Sequence, residues 1–95
     1  MIDILRFRLR NGADASSFVA ADKEFQEEFV YRQPGLRRRT TARSGTWDWV
    51  VVTLWDSDDA ADAAAAHQVT EPVFREFLAS IDPSSMRSAR YAELD

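Results

Sequence analysis

Two apolar spacings alternate along this chain, and their order limits the possible folds more than any other feature. IDILRFRLR runs with period two, so Leu5, Phe7 and Leu9 point to one side and Arg6, Arg8 and Arg10 to the other. This is a strand with one apolar face, and NGAD breaks it. From about Ser16 the spacing becomes helical. Phe18, Ala21, Phe25 and Phe29 share a stripe, with Asp22, Glu24, Glu27 and Glu28 largely elsewhere. Ser16 or Ser17 is the expected N-cap. The helix must stop near Gln33, because Pro34 disfavours the α conformation before it and Gly35 follows.

Leu36 to Arg43 reads as a second strand, Ser44-Gly45 as a tight turn, and Trp47 to Trp55 as a third strand rich in β-branched and aromatic residues. Asp56 or Ser57 caps a second helix, whose early Asp58 and Asp59 suit the positive end of the helix dipole. Around HQVTEP this helix kinks or restarts, with Pro72 in a new first turn. Phe74, Phe77, Leu78 and Ile81 then form an apolar stripe, DPSS ends it, and Met86 to Leu94 reads as a short last strand. The order is β-α-β-β-α-β over a single domain, residues 1–95. Two right-handed crossovers place both helices on one face of a four-stranded antiparallel sheet, an α+β, ferredoxin-like arrangement.

Residue usage narrows the chemistry. The chain has no cysteine and one histidine, His67, so thiolate chemistry and multi-histidine metal sites within one chain are excluded. No flavin motif, phosphate loop or metal cluster stands out, and no cofactor is expected. No stretch is apolar for long enough to span a bilayer, and a soluble cytoplasmic protein is the expectation.

Charge separates by element. Arg6, Arg8, Arg37, Arg38, Arg39, Arg43, Arg87 and Arg90 lie on expected strands, and most acids on expected helices. With Leu5, Phe7 and Leu9 under the helices, the other face carries Arg6 and Arg8, part of the second strand, and some of Trp47, Trp49 and Trp55. Arginine suits a desolvated interface, because its flat guanidinium stacks on indoles and forks onto carboxylates. A homodimer joined through this face is the expected partner, with Arg6 and Arg8 as interface residues. RNA is the competing partner for such a sheet, but TWDWVVVTLW lacks the glycine-aromatic RNA-binding pattern and the sequence pI is near 4.9.

The order of elements, together with ILRFRLRNGAD, QPGLRRR, VVVTLWDSDDAADAA and AHQVTEPVFREF, resembles the dimeric α+β barrel superfamily, near the antibiotic-biosynthesis-monooxygenase-like domains. The resemblance implies two sheets packed face to face as a barrel, with helices outside and a small pocket between sheet and helices in each subunit. Some members are cofactor-independent monooxygenases of quinol-like or polyketide aromatics. Others isomerise or degrade small molecules or bind heme. The family's strand-end tryptophan and acidic helix start match Trp55 and Asp56, and its histidine before Thr-Pro is met by His67 ahead of Thr70 and Pro72. Ala64 and Leu78 stand where heme degraders carry a tryptophan and a histidine, which argues against that branch.

The resulting candidates are His67 as general base, and Trp49, Trp55, Phe25 and Phe29 as walls of a pocket for a small aromatic ligand. Each has a plainer role, as a helix-end or solvent-facing histidine and as core or interface aromatics. Two functions follow. One is a cofactor-independent monooxygenase of an electron-rich aromatic. The other is a non-catalytic, ligand-binding or structural homodimer.

Overall fold

The computed structural model describes residues 1–95. The elements are β1 (Ile2–Phe7), α1 (Ala15–Glu28), β2 (Leu36–Ser44), β3 (Asp48–Trp55), α2 (Asp58–Gln68), α3 (Pro72–Ala79) and β4 (Arg87–Tyr91), with 3-10 turns at Val30–Arg32 and Pro83–Ser85. The sheet order is β2-β3-β1-β4 and every pairing is antiparallel, so the fold is ferredoxin-like α+β.

Local chemistry moved several boundaries. The N-cap of α1 is Asp14 rather than Ser16 or Ser17, because its carboxylate accepts both the backbone N–H of Ser17 (3.2 Å) and the Ser17 hydroxyl (2.8 Å). These donors, the hydroxyl first, hold the Asp14 carboxyl below its usual pKa. β1 ends at Phe7, since beyond it the chain leaves the sheet and pairs with the segment that follows α3. There Leu9 bridges Ile81, and the Asp82 N–H donates to the Arg8 carbonyl. The hairpin closes with Ser44 opposite Asp48, so the loop is 45–47 and Gly45 takes its positive φ of 62°. Trp47 therefore sits at the loop tip, 66% exposed, and not in the strand. β4 stops at Tyr91, and the helical region splits as expected, with Pro72 opening α3.

Residues directly opposite in paired strands share a face. Trp49, Val51, Thr53 and Trp55 alternate as the buried side of β3. Their partners Phe7, Leu5 and Asp3 on β1, and Arg43, Thr41 and Arg39 on β2, face the same way, toward the helices. The core under the helices is aromatic. The Phe18 ring meets Trp49 edge-on at 5.0 Å, and Phe77 stacks on Phe25 at 5.1 Å. Each such buried ring contributes on the order of 1.5–3 kcal/mol.

The opposite face is uncovered by this chain's own helices. It carries Ile2, Ile4, Val50, Val52 and Leu54, half-buried by their neighbours, with exposed Arg6, Arg38 and Arg87 around them. No tryptophan lies on it, contrary to the expectation that some of Trp47, Trp49 and Trp55 would. Trp49 and Trp55 are under the helices because β3 alternates from Trp49, and the loop at 45–47 takes Trp47 out of the strand.

Candidate functional site

A cavity of about 430 Å³ opens between the helix side of the sheet and the three helices. Its apolar wall includes Trp55, Val51, Phe25, Phe74 and Phe77, and α2 adds Ala61, Ala64 and Ala65. The small side chains of α2 are what leave the space, since an alanine face fills little volume between a helix and a sheet.

The cavity floor is polar. Arg39 on β2 lies opposite Thr53 on β3, Thr53 opposite Asp3 on β1, and Asp3 opposite Arg90 on β4. All four residues line the cavity. They form one cross-strand row, with neighbours about 4.8 Å apart along the hydrogen-bonding direction.

Each end of the row is anchored by a helix. At one end the Arg39 side chain, only 3% exposed, places Nη2 2.8 Å from Asp22 Oδ1 of α1. The contact is a close charge pair without hydrogen-bond alignment, and Oδ1 has no hydrogen bond of its own. Arg39 Nη1 donates to Gln26 Oε1 (3.1 Å) and Thr41 Oγ1 (3.4 Å). The guanidinium carbon lies 5.4 Å from the ring centres of both Phe25 and Phe77. Tyr31 fixes the strand here, its hydroxyl donating to the Arg39 carbonyl and accepting from the Arg39 N–H. At the other end, Arg90 Nε donates to Asp3 Oδ1 (3.0 Å), and Nη1 lies 2.8 Å from Asp62 Oδ1 on α2. The bond to Asp62, and then the charge of Asp3, raise the Arg90 pKa further.

The candidate residues from the sequence separate in space. Trp55 and Phe25 line the cavity. Phe29 is a buried core residue, stacked on Phe25 at 5.7 Å. Trp49 packs on Phe18, with the Arg43 guanidinium 5.0 Å from its ring centre, and it lines a second groove at the far end of the sheet with Arg6 and Arg8. His67 is exposed in the last turn of α2 and borders a different surface groove, with Gln33, Pro34 and Asp56. It is not part of the cavity wall. Arg6 lies on the open sheet face, while Arg8 lies beyond the end of β1, 3.6 Å from Asp48.

Arg39, Asp22, Thr53 and Asp3 were missed as site residues. A signal for Asp22 exists, since it sits four residues after Phe18 on the stripe that α1 buries. No three His, Cys, Asp or Glu side chains converge as metal ligands. The site can therefore hold a flat apolar body against aromatic rings and meet its polar edge with a guanidinium, a hydroxyl and a carboxylate.

Comparison with solved structures bears on the frame around this cavity. A single-residue variant of SnoaB, a cofactor-independent oxygenase from Streptomyces nogalater, matches with a TM-score of 0.81 at 20% identity, over 99% of this chain and 92% of that one. The fold is that of the antibiotic-biosynthesis-monooxygenase-like structures. An antibiotic biosynthesis monooxygenase matches at a TM-score of 0.77 and 11% identity over 100% of both chains. Rv0793 from Mycobacterium tuberculosis matches at 0.72 and 18% identity, over 99% of this chain and 94% of that one. No protein-family model matches the sequence, and no curated protein matches it. At these identities the likeness fixes the fold and leaves the reaction to the site itself. No helix is long and apolar enough to cross a membrane.

Proposed function

We propose that the chain is a cofactor-independent monooxygenase of an electron-rich aromatic or quinol-like compound, working as a homodimer. The observation that carries the reading is the cavity of about 430 Å³ with aromatic walls and one polar floor, in a fold shared with a cofactor-independent oxygenase. In this chemistry the substrate supplies the electrons. A phenolic O–H or an activated C–H gives up a proton, the anion adds dioxygen through carbon, the proton returns to give a hydroperoxide, and loss of water with that carbon's remaining hydrogen leaves one oxygen atom in a carbonyl and the other in water. The protein's contribution is to desolvate the ring system, hold it flat, and receive the proton. Asp3, the carboxylate on the cavity floor, takes the proton-accepting role that the sequence suggested for His67, which faces solvent in another groove. Trp55 and Phe25 hold the ring system.

The homodimer rests on the open sheet face. Arg6 and Arg87 stand opposite each other there, and Arg6, Arg38 and Arg87 form none of the intrachain ion pairs, which use Arg8, Arg37, Arg39 and Arg90. Like charges placed opposite each other beside an apolar patch are unfavourable unless carboxylates from elsewhere join them. A second copy of this chain supplies the apolar cover for Ile2, Ile4, Val50, Val52 and Leu54.

Oxygen uptake with a panel of hydroquinones and polycyclic phenols, followed by mass analysis of products formed under labelled dioxygen, tests the reaction. Label in a carbonyl, formed faster than in buffer, supports it. Tight binding without accelerated uptake would leave the second reading, a non-catalytic binding dimer, which the solvent-facing position of His67 favours.

A further inference from the structure

The cavity floor distinguishes ligands more sharply than an aromatic slot would, and this step rests on the reading of the cavity as a ligand site. Arg39 is buried yet belongs to the cavity wall, whereas its carboxylate partner Asp22 does not. Of the pair, the arginine is thus the member that borders the cavity. An arginine side chain has five N–H donors. Its two hydrogen bonds, to Gln26 and Thr41, both come from Nη1, and Nη2 meets Asp22 only as a charge, so Nε and Nη2 make no hydrogen bond. The same guanidinium lies over Phe25 and Phe77, which are both in the wall, so a ring packed on those side chains brings its substituents within reach of it.

We propose that the cavity selects aromatic ligands as phenolate-type oxyanions, with Arg39 and the adjacent Thr53 hydroxyl holding the charged oxygen. The groups facing Arg39 are Asp22 and Gln26 from α1, Thr41 beside it on β2, Thr53 from β3, and the uncharged Phe77 from α3. The Tyr31 hydroxyl is engaged by the Arg39 backbone. Asp3 is two strands away, where Arg90 donates to it. A low-dielectric wall with an available guanidinium favours the ionised form of a phenol over its neutral form. The ionised form is also the one that gives electrons to dioxygen. Arg39 thus sets both which ligand enters and in which state it stays.

The test uses a nitronaphthol, whose ionised form absorbs at longer wavelength than its neutral form, and the methyl ether of the same compound. Wild-type protein should bind the nitronaphthol at least about tenfold tighter than the ether, and the bound probe should titrate at least about one pH unit below the free probe. Asp22→Leu with Arg39→Met removes both charges together, so no buried ion is stranded. This double variant should bind the two compounds equally and abolish the displaced titration. Arg39→Lys keeps the charge opposite Asp22, provides a second variant if the double one does not fold, and should show an intermediate preference. Equal binding by wild type, binding of neither probe, or a preference that survives both substitutions would overturn the proposal. Oxygen uptake separates the two ideas. Naphtholate selection by a protein that turns over none of the hydroquinones and polycyclic phenols removes the oxygenase and keeps the oxyanion site, and turnover of those compounds without charge preference does the reverse.

Discussion

Replacing Asp22 with alanine should cost far more than its surroundings suggest, because it removes one half of a buried charge pair. The Arg39 side chain is 3% exposed and that of Asp22 11% exposed, and they approach to 2.8 Å. Deleting the carboxylate leaves the guanidinium under two phenylalanine rings with Gln26 and Thr41 as its side-chain acceptors. Stranding a buried charge in this way costs about 3–5 kcal/mol. A domain of this size has only about 5–15 kcal/mol in total. At roughly 4–8 °C per kcal/mol, the thermal midpoint should fall by about 12–40 °C. Replacing both partners by apolar residues, as Asp22→Leu with Arg39→Met, should bring stability back to within about 1 kcal/mol of wild type or above it, since desolvation of two ions is removed with the pair. Urea titration followed by far-UV circular dichroism gives both values. If Asp22→Ala stays within about 1 kcal/mol of wild type, or the double variant is worse than the single, the pair is not buried as described and the reasoning fails.

Gly35 holds φ at +84°, and an added Cβ would lie 2.6 Å from Ala60 Cβ on α2, so Gly35→Ala should destabilise by about 1–3 kcal/mol and Ala60→Gly should recover only the steric part. The folded-state pKa values of Asp14 and Asp82 are lowered, in each case first by a serine hydroxyl. Their contributions are therefore present above the ordinary carboxylate pKa and are lost as pH falls through the lower, folded values. Acid titration of stability should be shallower in Asp14→Asn, and an unchanged profile would count against this cap. Arg6→Ala should weaken self-association by more than about 1 kcal/mol in sedimentation equilibrium, and Arg8→Ala by less, because Arg8 already sits beside Asp48 past the end of β1. The reverse order would move the interface off the open sheet face.

Much of this fold was legible because apolar period reports burial directly. β1, β3 and the stripe of α1 place their apolar residues where alternation or helical spacing puts them, and the order of elements follows from connection rules. Boundaries were less legible because they depend on single hydrogen bonds. Asp14 displaced the serines as a cap because its carboxylate could take two donors from Ser17, and a loop at 45–47 moved Trp47 from a strand to a tip. His67 was singled out because histidine suits a general base and because it stands ahead of Thr70 and Pro72, and neither feature says which side of α2 it occupies.

The larger misreading concerned Asp22 and Arg39, and it was one error rather than two. Hydrophobic period treats a charged residue on an apolar stripe as an interruption, so Asp22 was assigned to the polar side of α1 and Arg39 was grouped with the other arginines of the strands. Yet a carboxylate at a buried helical position is tolerable only with a cation buried beside it. β2 runs under α1 and offers an arginine in register with Thr53 on the helix side. The alternation of β3 settles that side, since Thr53 shares it with Trp49, Val51 and Trp55. Two polar residues at core positions on neighbouring elements therefore imply each other. Here they also mark the part of the core that is not filled. A pair that needs desolvation to be strong, yet adjoins about 430 Å³ of space, is costly as pure architecture. Its position is accounted for once the space belongs to a ligand whose oxygen completes the arginine's donors.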